Sequence, residues 1–206
     1  MIARNAAAAT AFALLAGVAA PAALAQDGGL YPDPGAPDAS FVRVIAPDAN
    51  GATIDGQDVD FTEVGVSPYV EVSPGSLVIA GPDGDNEVEV GANTHYTFAG
   101  GTLIEDAVKD SPAQADLLLY NLSDHASVDL YAVEADTLAL SGVEQGAHSG
   151  VGLKAPLTLT FEVRDGDTTL AALEPVDLRR GTGTTVVVSG SGDAVTAGAM
   201  TSTYAE

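Results

Sequence analysis

The sequence predicts an all-β protein: two tandem small antiparallel β-sandwich domains after a cleaved signal peptide. Three observations lead there. Apolar residues alternate in short runs, Asp-Gly and Pro-Gly turns separate those runs, and no long helical periodicity follows residue 25.

The N-terminus sets the compartment. Arg4 gives a short positive start, an apolar stretch runs from Ala6 to Ala20, and Ala23-Leu24-Ala25 supplies the A-x-A pattern of a signal-peptidase site. The stretch is shorter than the roughly 20 apolar residues of a spanning helix. Without a cysteine in the chain, no lipid can be attached behind it. Residues 1–25 are therefore expected to be removed on export, leaving a periplasmic chain that is not inserted in the membrane. Residues 26–40 form an extended lead in which Pro32, Pro34 and Pro37 prevent regular pairing.

Phe41-Val42-Arg43-Val44-Ile45 alternates, with Val42 and Val44 on one face and Phe41, Arg43 and Ile45 on the other. Further strands are expected at residues 69–72, 76–80, 87–90 and 95–99. Asp55-Gly56, Pro74-Gly75 and Pro82-Asp83-Gly84 read as turns. Thr102 to Lys109 fits one or two helical turns or a strand end. Strands resume at 117–120, 127–133, 137–140, 157–163, 169–173 and 184–188, with a tight hairpin at Asp165-Gly166. The expected boundaries are 41–104 for the first sandwich, 105–115 for a linker, 116–192 for the second sandwich and 193–206 for a flexible tail. A loose repeat relates the halves. Phe41–Ile45 parallels Leu117–Tyr120, and the turn and long strand ending at Gly100 parallel those ending at Gly190.

Charge narrows the partners. A net charge of −22 repels nucleic acid, anionic membranes and anionic polymers, so no nucleic-acid binding is expected. At 46% hydrophobic residues the chain is too apolar for a disordered acidic segment. Nucleophilic catalysis needs a nucleophile with an oriented base. The chain has no cysteine, no G-x-S-x-G elbow, and only His95, His125 and His148 as imidazoles, so no catalytic residue is assigned. Asp83, Asp85 and Glu87, and Asp165 and Asp167, sit in Gly-rich turns that calcium could use. They lack the EF-hand spacing, and turn geometry alone accounts for them. No metal or cofactor is expected.

Three patches resemble a known family. Leu30-Tyr31-Pro32 with Ala36-Pro37-Asp38-Ala39-Ser40-Phe41-Val42-Arg43-Val44 is similar to the start of the mature chain in the AlgF family of periplasmic alginate biosynthesis. Asp116 to Leu122, running into Ser123, resembles the opening strand of that family's second domain. Pro175-Val176-Asp177-Leu178-Arg179-Arg180-Gly181 with Val186-Val187-Val188-Ser189-Gly190-Ser191-Gly192 resembles its closing turn and strand. The chain departs from the family in its acidity and in the tail after Gly192. The resemblance implies a non-catalytic adaptor for O-acetylation of alginate or a similar exopolysaccharide, bridging membrane O-acyltransferase machinery and a periplasmic SGNH-type acetyltransferase. It lends no catalytic residues. The alternative is a secreted carbohydrate- or surface-binding sandwich, and polysaccharide remains a second class of partner. Among the few cations, Arg43, Arg179 and Arg180 are the expected partner contacts, set against ordinary ion pairing with neighbouring acids.

Overall fold

The computed structural model describes residues 36–206 except Asp83 and Asp110. The predicted signal peptide and residues 26–35 of the lead lie outside the described residues. The described chain is all-β, as its alternating pattern requires. The first half holds β1 (Ser40–Ile45), β2 (Gly51–Ile54), β3 (Gln57–Asp60), β4 (Val70–Val72), β5 (Gly75–Gly81), β6 (Gly84–Val90), β7 (His95–Ala99) and β8 (Thr102–Glu105). The second holds β9 (Gln114–Asn121), β10 (Ser127–Ala132), β11 (Thr137–Glu144), β12 (His148–Lys154), β13 (Leu157–Leu159), β14 (Phe161–Asp165), β15 (Thr168–Ala172), β16 (Val176–Leu178), β17 (Gly183–Ser189) and β18 (Thr196–Thr201).

Each half is a sandwich of two four-stranded sheets, and the two halves share one strand order. In the first, β4-β1-β7-β8 packs on β3-β2-β5-β6; in the second, β12-β9-β17-β18 packs on β11-β10-β14-β15. The correspondence extends to direction. β1 pairs antiparallel with β4 and parallel with β7, while β9 pairs antiparallel with β12 and parallel with β17. A short β13–β16 ribbon is added to the second half. The loose sequence repeat therefore falls on equivalent strands.

Turn chemistry sets the hairpins. Asp55 and Gly56 both take positive φ, 48° and 83°, which is the two-residue turn that Asp-Gly favours between β2 and β3. Asn121 closes the turn after β9: its side-chain oxygen accepts from Ser123 N–H and Oγ–H, and its Nδ2 donates to the carbonyls of His125 and Val143.

Alternation sorts residues between three apolar clusters. Val42, Val44, Val70 and Phe98 meet Ile54, Leu77 and Ile79 inside the first sandwich. Leu117, Leu119, Val186 and Val188 meet Leu130, Phe161 and Val163 inside the second. The opposite faces of the same strands carry Ile45, Ala99, Leu118, Tyr120 and Val187, which pack against one another between the sandwiches. The two parallel-paired sheets are thus covered on both faces, and β9 and β17 read as near-continuous apolar runs for that reason. The outer sheets, covered on one side only, keep the alternation of buried and exposed positions.

Three expectations change. The helical option for residues 102–109 is replaced by β8. The segment after it is anchored, because Asp106 is buried and Ala107 and Val108 pack in the junction cluster. The expected tail forms β18, and beyond it Tyr69 N–H donates to the Thr203 carbonyl while Ala205 N–H donates to the Tyr69 carbonyl, both at 2.8 Å. Residues 202–205 therefore strap the second half onto the first.

A shared apolar junction makes unfolding of either half expose the other. Urea unfolding followed by far-ultraviolet circular dichroism and by tyrosine fluorescence should give one coincident transition. Two separated transitions would mean that the sandwiches are energetically independent.

Candidate functional site at the junction of the sandwiches

Arg43 is the largest fully buried side chain in the described protein, at 0% exposure. It shares its strand face with Phe41 and Ile45, as the alternation predicts. That face meets the second sandwich rather than solvent, so the expectation that Arg43 contacts a partner is corrected: its guanidinium is enclosed. A period-two pattern separates the two faces of a strand but does not say what covers each one.

A buried cation is tolerated only with its donors satisfied and a counter-charge nearby. Arg43 Nε donates to Thr97 Oγ1 at 2.9 Å, Nη1 to Thr185 Oγ1 at 2.7 Å and Ser202 Oγ at 3.4 Å, and Nη2 to the Tyr120 hydroxyl at 3.3 Å. The guanidinium also lies over the ring of Tyr69, 4.5 Å from its centroid. Asp106 provides the negative charge. Its carboxylate accepts from the hydroxyls of Tyr69 at 2.6 Å, Thr97 at 3.0 Å and Tyr120 at 2.5 Å. Thr97 and Tyr120 thus relay between cation and anion. Burial raises the pKa of Tyr69 and of Tyr120, against the opposing pull of Arg43, so both hydroxyls stay protonated and donate.

The network crosses the junction. Arg43, Tyr69, Thr97 and Asp106 belong to the first half; Tyr120, Thr185 and Ser202 belong to the second. Sequence reasoning missed all of these except Arg43. The available signals were slight: Asp106 among apolar residues in Leu103–Val108, and Thr184-Thr185 opening a valine run.

The remaining sequence-selected residues are dispersed. Arg179 and Arg180 are exposed at the turn before β17. Arg179 approaches Asp177 at 4.0 Å, and Arg180 Nε donates to the Ala155 carbonyl at 2.6 Å. His95 lies beside the network, stacked on Phe41 at 4.9 Å, with Nε2 3.0 Å from the Tyr204 hydroxyl. His125 sits at a polar turn, between Asp165 and the Gly192 carbonyl, each at 3.3 Å. His148 belongs to β12 rather than to a loop and stacks on Tyr120 at 5.4 Å. Among the described residues no group of three or more His, Cys, Asp or Glu could hold a metal ion; Asp83 of the acidic turn lies outside them. No described helix is long and apolar enough to cross a membrane.

Two openings flank the junction. A cavity of about 70 Å³ beside the network is lined by Tyr69, His95, Asp116, Thr182, Ser202 and Tyr204. That space suits one or two water-sized groups rather than a drug-sized ligand. At the far end of β1, a groove of about 400 Å³ runs between Ile45, Pro47, Phe98, Leu122 and Gln145.

No family model and no curated protein matches the chain. Solved structures do. The C-terminal domain of AlgF from P. aeruginosa is 24% identical over 43% of this chain and 98% of that one, with a TM-score of 0.39. CBMbc, a family CBM26 module of Eubacterium rectale Amy13K in complex with maltoheptaose, is 12% identical over 82% of this chain and 98% of that one, at TM-score 0.30. A leucine-rich repeat protein from Bacteroides thetaiotaomicron is 13% identical over 75% of this chain and 26% of that one, at TM-score 0.20.

Removing Arg43 leaves Asp106 buried without its counter-charge. Arg43→Ala should lower unfolding free energy by about 3–5 kcal/mol. Arg43→Leu combined with Asp106→Asn should restore part of it, as read from urea midpoints. A loss below about 1 kcal/mol for Arg43→Ala would remove the network's structural role.

The pKa of His148 is lowered chiefly by burial, and by Arg43, against the opposing charge of Asp106; its Nε2 has no hydrogen-bond partner among the described residues. Its folded-state affinity for a proton is therefore below that of an unfolded histidine near 6.5. As pH falls below about 6.5 the unfolded state takes up more protons, so stability declines, levelling once the folded ring is also charged. His148→Phe, which retains a ring on Tyr120, should flatten this slope between about pH 7 and 5. The wild-type minus variant difference cancels His125, whose pKa shifts upward because of the Gly192 carbonyl and Asp165.

Proposed function

We propose that the chain is a non-catalytic periplasmic adaptor in O-acetylation of alginate or a similar exopolysaccharide, holding acetyl-donor machinery and an SGNH-type acetyltransferase together. The observation that carries this reading is the junction. Two sandwiches of the same strand order are fixed face to face through a buried hydrogen-bond network around Arg43 and Asp106, and their outer sheets, β3-β2-β5-β6 and β11-β10-β14-β15, face away from it. A bridge works by fixing the relative placement of two surfaces, which raises the effective concentration of one partner at the other. The outer faces also differ. The first carries Asp58, Asp60, Asp85, Glu87 and Glu89 in two exposed columns, whereas the second carries Tyr131, Arg164 and Glu162. Two unlike faces suit two unlike partners.

The strand portions of the three sequence patches lie on β1, on β9 and on β16 with β17, Leu30-Tyr31-Pro32 being outside the described residues. They support the reading through the strands that build the junction, not through a site. A second reading, a carbohydrate-binding module, is favoured by the second outer face. There the Arg164 guanidinium lies 3.4 Å from the Tyr131 ring centroid and pairs with Glu162 at 2.7 Å, and Val133 and Leu138 are exposed nearby.

Tagged mature protein should capture an SGNH-type acetyltransferase or a membrane O-acyltransferase from detergent-solubilised envelope, identified by mass spectrometry. Retention on a polysaccharide column with neither enzyme captured would replace the adaptor reading by the binding module.

A further inference from the structure

With 29 carboxylates and seven Lys and Arg residues, evenly scattered charge would leave every exposed cation next to an acid. The structure instead gathers four cations at one end of the second sandwich, where β9 begins. Lys154 ends β12 opposite Gln114. The Gln114 carbonyl also accepts Gly181 N–H at 2.8 Å, which brings the Arg179-Arg180 turn alongside, and Arg180 bonds the carbonyl of Ala155, next to Lys154. Lys109 joins them through its backbone N–H, which donates to Asp116 Oδ2 at 3.1 Å, two residues along β9. All four side chains are exposed. Arg179 has only the exposed Asp177, at 4.0 Å, and Lys109, Lys154 and Arg180 make no ion pair among the described residues. The first sandwich is the converse: Arg43 is its only Lys or Arg, and it is buried.

We propose that this end is a docking site for a short run of carboxylates on a partner protein. The inference rests on the adaptor reading and adds this end of the second sandwich to its outer face as the surface that one partner meets. Charge alone selects an acidic ligand. Extent selects a protein: beyond this end the surface is strongly acidic, and a long anionic polymer would extend onto it at separations within a Debye length of about 8–10 Å. A single acidic loop of a folded partner ends before that happens.

The test is titration of mature protein with a fluorescent hexaglutamate peptide, with a hexameric uronate oligosaccharide in parallel. The peptide should bind, weaken as salt rises, and bind about tenfold more weakly to the Lys109→Gln, Lys154→Gln, Arg179→Gln, Arg180→Gln variant. Lys109→Gln with Lys154→Gln spares the Arg180 bond to Ala155 and should show part of the loss at an unchanged urea midpoint. Absent peptide binding, equal binding by all variants, or binding of the uronate in its place would overturn the proposal. Envelope capture separates the two readings. If the fourfold variant captures the same enzymes as wild type, the docking end is wrong and the adaptor stands; if wild type captures neither enzyme, the adaptor reading fails while the peptide titration still reports on the end.

Discussion

Arg43 carries its charge into the interior, and a charge there persists only where every donor is met and an anion stands close by. Neither sandwich meets that condition alone. Thr97 and Asp106 come from the same half as the arginine, but Tyr120, Thr185 and Ser202 come from the other. The apolar residues around the network supply non-directional attraction. The hydrogen bonds supply register, because sliding one sheet over the other would strand a guanidinium and a carboxylate together. The arrangement gives one relative placement of the halves rather than a range of them.

That constraint explains the strands at the centre. β1, β7, β9 and β17 must present one face to their own sandwich and one to the junction, so they carry buried positions on both sides, and β9 and β17 are rich in Leu and Val. Two of the polar side chains on the junction faces serve the network. Thr97 and Thr185 are fully buried, and each accepts from the arginine. The strands of the outer sheets keep a simple alternation and carry much of the acidic surface.

Much of this was legible in the sequence, for definite reasons. Val42 and Val44 against Arg43 and Ile45 gave the correct faces of β1; Asp55-Gly56 marked a true hairpin because few other pairs accept two positive φ angles, and Asp165-Gly166 marked another, whose two turn residues are Gly166, at positive φ, and Asp167. β12 was hidden because His148-Ser149-Gly150-Val151-Gly152 has the composition of a loop; its glycines allow close approach, with Ala107 and Leu118 crowding Gly150. β18 was hidden because Ala, Thr and Gly give little apolar signal, and its order comes from pairing with β17. The network was hidden because it depends on which surface meets which. Arg43 reads as solvent-facing until a second sheet is laid over it.

The strap formed by residues 202–205 bears on how the chain is made. Arg43 waits for Thr185, 142 positions later, and for Ser202, 159 positions later. A chain emerging N-terminus first can close its first sandwich early, but the guanidinium must stay hydrated until the second sandwich arrives, since desolvating it sooner would cost several kcal/mol. The junction is therefore a late event of high contact order. A truncated copy would expose an apolar sheet face with a cation at its centre, marking it as unfinished to any protease or chaperone that samples such surfaces.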